Sequence, residues 1–105
     1  VAGKLDFKTI NQAALPALPA ILARLLPGGK AISGEYVARN PTRADRRAGS
    51  FKINLCNGRW SDFATGDAGG DVVSLLAYLE NQSQGDAARL LAGMLGLNSG
   101  GRVNE

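Results

Sequence analysis

A chain of 105 residues, 45% hydrophobic and 20% charged, reads as one small globular domain rather than a disordered segment or two domains. It has no histidine and one cysteine, Cys56, which excludes histidine acid–base chemistry, a His-containing triad, a Cys/His zinc site and an internal disulfide. The net charge is +3, and no apolar run approaches the roughly 20 residues of a membrane span. With no basic-then-apolar leader at the start and a lone thiol, a cytoplasmic, non-membrane domain is expected, monomeric in isolation, with binding ahead of catalysis.

In chain order, residues 6–27 form a helical part. Ile10, Ala13, Ala14, Leu15, Leu18, Ile21, Leu22, Leu25 and Leu26 recur at helical spacing, with Asp6 or Thr9 as candidate N-cap. Pro16 and Pro19 predict a break into two helices, one ending near Ala14 and one starting near Pro16. Pro27-Gly28-Gly29 ends the second. Residues 30–63 form the sheet: a first hairpin from Lys30 to Arg39 turning around Gly34, a polar loop from Asn40 to Gly49, and a strand from Ser50 to Leu55. In that strand Phe51, Ile53 and Leu55 alternate with Ser50, Lys52 and Asn54. Asn57-Gly58 turns it into a partner strand, Arg59–Phe63.

Ala64–Gly70 reads as a glycine-rich turn, which lets the hairpin and the next helix pack closely. Asp71 caps a helix carrying Val72, Val73, Leu75, Leu76, Tyr78 and Leu79, and Asp86 caps a last helix closed by Gly96. The C-terminal helices thus occupy 71–96, the domain 1–97, and 98–105 is expected to be a tail or linker. The fold class is α+β: a small antiparallel β-sheet flanked by N-terminal and C-terminal helices.

Charge is concentrated in one stretch. Arg39, Arg43, Arg46, Arg47, Lys52 and Arg59 face one acid, Asp45, between residues 39 and 59, while the rest of the chain is net acidic. Such a segment is the electrostatic footprint of a polyanion, nucleic acid first; the bland alternative is a solvated basic loop. Trp60, Tyr36 and Phe51 lie in or beside it, and aromatics among cations on a sheet would bind single-stranded nucleic acid. Phe51, on the apolar alternation, belongs to the core, whereas Trp60 stands between the core and a stacking surface.

Two other chemistries are weaker. The turn from Thr65 to Asp71 lacks the Lys-Ser/Thr of a nucleotide loop, and its aspartates would repel phosphate. Asp62, Asp67 and Asp71 match no calcium-loop pattern, and acids near a helix start serve more often as caps. Cys56 has no base in sight.

The string Gly49-Ser50-Phe51-Lys52-Ile53, Asn57-Gly58-Arg59-Trp60 and Asp62–Leu75 resembles the amino-terminal zinc-binding domain of bacterial and phage DNA primases, over about Gly28 to Leu97. In that family a C-P-x-H pair precedes a P-S-F-x-V strand, and a C-x-x-C pair precedes G-x-x-G-D-x-I-x-F at a helix start. Here Asn40-Pro41-Thr42-Arg43 and Asp62-Phe63-Ala64-Thr65 stand in those places, so Asn40, Arg43, Asp62 and Thr65 occupy the four ligand positions without a Cys or His.

The resemblance therefore implies a zinc-less version, with zinc absent and no other cofactor, as in primase-helicases of prophages and mobile elements. A structural zinc contributes on the order of 10 kcal/mol to such small folds. An Arg43–Asp62 ion pair, with Asn40 and Thr65 hydrogen bonds across the old site, is expected to offset that loss. The implied function is binding of single-stranded template DNA for primer synthesis by separate downstream catalytic domains, with no catalytic residue in this chain. The resemblance carries over Lys52, Arg59 and Trp60, and charge alone adds Arg43, Arg46 and Arg47. The rival reading is a docking module for a helicase or the rest of the chain, using surplus apolar residues of Phe7–Leu26.

Overall fold

The computed structural model describes residues 6–42 and 49–96. A long helix α1 (Phe7–Leu25) leads into strands β1 (Lys30–Ile32), β2 (Glu35–Ala38), β3 (Phe51–Asn54), β4 (Trp60–Asp62) and β5 (Ala68–Gly69). Helices α2 (Val72–Glu80) and α3 (Gln84–Met94) follow. The five strands form one antiparallel sheet in sequence order, so the expected α+β class holds. Among the described residues no helix is long and apolar enough to cross a membrane.

The two-helix expectation for the N-terminal part is corrected: α1 is continuous, with Pro16 and Pro19 inside it. Each proline removes a donor, from the carbonyls of Gln12 and Leu15, at a cost of about 3 kcal/mol. Both lie on the exposed side of the helix, where water can serve those carbonyls. The opposite side buries Ile10, Ala14, Leu18, Ile21 and Leu22 as one stripe, and each large side chain contributes about 1.5–3 kcal/mol. A break would divide that stripe. Burial along the whole helix wins. It also takes up the apolar residues on which the docking alternative rested; of the large ones in α1 only Phe7 is exposed.

Asp6 is the N-cap of α1, its carboxylate accepting from the Thr9 amide at 2.8 Å. This hydrogen bond holds the Asp6 carboxyl below its ordinary range. The other end is tied to the sheet, where the Tyr36 hydroxyl donates to the Leu26 carbonyl at 2.8 Å. Ser33 and Gly34 both have positive φ, making a two-residue turn of the kind that matches strand twist, with Ile32 paired to Glu35. The β3–β4 connection is longer than the Asn57-Gly58 signal implies. The Asn54 side chain accepts from the amides of Cys56 and Asn57, and Gly58 takes a positive φ before Arg59 rejoins the ladder.

The glycine-rich stretch contains β5, which the sequence does not announce. Ala68 and Gly69 pair with Ser61 and Trp60. A Cβ at Gly69 would run into the indole Nε1 and the Ser74 hydroxyl, so the glycine permits the close packing expected of this turn. Asp71 caps α2 in a capping box with Ser74, as expected. The cap of α3 is Ser83, not Asp86. The Ser83 hydroxyl accepts from the Asp86 amide, leaving Asp86 in the first turn of the helix, where its charge suits the helix dipole.

The helices cover one face of the sheet. Tyr36, Ala38, Phe51, Ile53, Trp60 and Asp62 point into the core with α1, α2 and α3, and the other face is open to solvent.

Candidate nucleic-acid interface

Strand alternation determines what the open face carries. Because Phe51 and Ile53 point inward, Lys52 and Asn54 point outward. The register then aligns Lys30, Val37, Lys52, Ser61 and Ala68 in one row across the sheet. A second row runs from Ile32 through Glu35 and Asn54 to Arg59, whose carbonyl accepts from the Asn54 amide at 2.7 Å. Phe63 extends β4, its amide donating to the Ser50 carbonyl at 2.9 Å, and its ring is 74% exposed. The Lys52 ammonium sits 5.8 Å from the centre of that ring. Arg39, directly after β2, is also exposed. The face thus carries Lys30, Arg39, Lys52 and Arg59 and one exposed aromatic beside Lys52, with Glu35 the one acid at an outward strand position among the described residues.

Of the residues expected to bind nucleic acid, Lys52 and Arg59 share this face. Arg43, Arg46 and Arg47 lie outside the described residues. Trp60 requires correction: it is 5% exposed, on the core side of β4. Its Nε1 donates to the Ser74 hydroxyl at 3.0 Å, its ring lies 4.6 Å from that of Tyr78, and Phe51 meets it edge-on at 6.1 Å. The indole is therefore part of the core and unavailable to a base. The exposed aromatic is Phe63. The period of two shows that Trp60 and Asp62 share one side of β4 and Ser61 and Phe63 the other, but not which side faces out.

The four positions that the sequence resemblance puts at metal-ligand places divide in the same way. Asn40 and Asp62 are fully buried and joined, the Asn40 amide donating to the Asp62 carboxylate at 2.8 Å. Asp62 also accepts from the Ala64 amide at 2.8 Å. Asn40 donates to the Tyr78 hydroxyl at 2.8 Å and accepts from both the amide and the hydroxyl of Thr42. Tyr78 in turn donates to Asp67 at 2.7 Å. Thr65 does not reach across: it is exposed, and its hydroxyl accepts from the Asp67 amide. Arg43 lies outside the described residues, so its expected ion pair does too. Among the described residues no three His, Cys, Asp or Glu side chains are grouped to hold a metal ion. The two loops are connected through Asn40, Asp62 and Tyr78.

At the end of the turn from Thr65 to Asp71, two of the first amides of α2 are already occupied. The Ser74 amide is taken by Asp71 and the Val73 amide by the Asn11 side chain, at 2.8 and 2.9 Å. The chain matches no protein-family model and no curated protein.

Proposed function

We propose that this domain binds single-stranded template DNA as the non-catalytic, primase-like module of a replication protein, in the cytoplasm, with primer synthesis carried out by separate catalytic domains. The observation that carries the reading is the open sheet face, which presents Lys30, Arg39, Lys52 and Arg59 together with the exposed ring of Phe63. Lys30, Arg39, Lys52 and Arg59 would neutralise phosphates of an extended strand, and Phe63 would stack on one base, with Lys52 beside both. A sheet with one aromatic and a spread of cations suits a flexible single strand, whose bases are free to stack. The primase assignment itself rests on the motif resemblance between Gly49 and Leu75; the absence of Cys or His at all four ligand places makes it a zinc-less version.

Amide chemical-shift titration with a short thymine oligonucleotide at low salt tests the reading. Shifts gathered on Lys30, Lys52, Arg59 and Phe63 are expected. Shifts confined to the helices, or none at millimolar DNA, would refute it.

A further inference from the structure

One side chain of the open face has the wrong sign for phosphate. Glu35 stands in the row with Asn54 and Arg59, and all three line a groove of about 280 Å³ whose wall also includes Lys52 and Ser61. Glu35 is half-buried there, and among the described residues it makes no ion pair and no side-chain hydrogen bond, despite the two cations lining the same groove. Beside it, Asn54 is held in one orientation. Its Oδ1 accepts from the amides of Cys56 and Asn57 at 2.7 and 3.0 Å, which leaves Nδ2 as a donor without a partner among the described residues.

A carboxylate with two acceptor oxygens next to an oriented donor has one complement among the bases. Guanine presents O6, N1–H and N2–H side by side: one acceptor, then two donors. Adenine and cytosine carry a ring-nitrogen acceptor where the first donor is needed, and thymine an acceptor oxygen where the second is. The groove is slightly smaller than clefts for drug-sized ligands, about 300–1,000 Å³, and suits a single nucleotide.

We propose that Glu35 is a specificity-determining residue that accepts from N1–H and N2–H of one guanine, with Asn54 donating to O6. Lys52 and Arg59 take the adjacent phosphate. The inference rests on the reading of this face as a nucleic-acid surface.

The test compares a thymine oligonucleotide carrying one central guanine with the same oligonucleotide carrying hypoxanthine, which lacks only the N2 amino group. The protein is the full chain at low salt, and GMP and IMP are run in parallel. The guanine strand is expected to bind on the order of tenfold more tightly, since a good bidentate contact gives about that discrimination. Glu35→Gln should bring the ratio to about one without weakening the all-thymine strand, because glutamine replaces one of the two acceptor oxygens with an N–H donor that would face a guanine N–H. Lys52→Ala should weaken both strands and keep the ratio.

Equal binding of the two strands by the native chain, or a ratio that survives Glu35→Gln, overturns the proposal while leaving the DNA surface standing. If no strand binds but GMP still exceeds IMP with shifts at Glu35 and Asn54, the guanine site stands and the DNA reading falls. Absence of all binding removes both.

Discussion

Asn40→Ala tests whether the hydrogen-bonded pair between the two loops holds this fold together. The substitution removes a donor to a fully buried carboxylate, a second bond to Tyr78, and the acceptor of two bonds from Thr42. A hydrogen bond to a charged group is worth about 1.5–3 kcal/mol, and a buried polar atom left unmatched carries its own desolvation cost. The bonds share one residue and are not additive, and the Thr42 pair is partly exposed, so the expected loss is about 3 kcal/mol. A domain of this size has about 5–15 kcal/mol in total. With a urea slope of about 1–3 kcal/mol per molar, the midpoint should fall by about 1–3 M at constant slope. Trp60, the single tryptophan, is buried beside Tyr78 and reports the transition by fluorescence. A loss below about 1 kcal/mol would refute the argument, because it would mean that the buried carboxylate does not depend on Asn40.

Further outcomes follow from the two sides of the sheet. Phe63→Ala should weaken single-stranded DNA binding by about 1–3 kcal/mol with little change in melting temperature, whereas Trp60→Ala should destabilise by about 3–5 kcal/mol; fluorescence anisotropy and thermal melts separate the two. If Lys30, Arg39, Lys52 and Arg59 each neutralise one phosphate, the logarithm of affinity should fall with the logarithm of salt at a slope of about −2.8, and Arg59→Ala should reduce that slope by about 0.7. The folded-state value for the Asp6 carboxyl is depressed, so its contribution to stability is present above the unfolded-state value and is lost as pH falls through the folded one. Asp6→Asn should therefore flatten the acid limb of a stability–pH curve below the normal carboxylate range, and an unchanged limb would remove Asp6 from the account.

The legible and illegible parts of this chain differ by how local their causes are. Phe51, Ile53, Lys52 and Asn54 alternate cleanly, so the faces of β3 were readable from the residues alone. The Asp71 cap and the apolar set of α2 were equally local. Two prolines suggested a broken helix, and only the shared burial of Ile10 through Leu22 kept α1 whole. In Trp60-Ser61-Asp62-Phe63 an aromatic and a carboxylate occupy one side and a hydroxyl and an aromatic the other, so the pattern has no polar face and could not be oriented. β5 has too few side-chain signals to be seen at all.

Residue order by itself determined the α+β class, the outward placement of Lys52 and the exclusion of Cys/His zinc, because those follow from period, charge and residue type. Tertiary structure alone decided which way β4 faces. Ser74 and Tyr78 of α2 offer the indole a hydrogen-bond acceptor and a ring, while Asn40 offers the Asp62 carboxylate a donor. Those partners lie between 14 and 22 positions away in the chain, beyond the reach of any local pattern. Turning that strand puts Trp60 inside, brings Phe63 out beside Lys52 on the face that also carries Lys30, Arg39 and Arg59, and so chooses the surface.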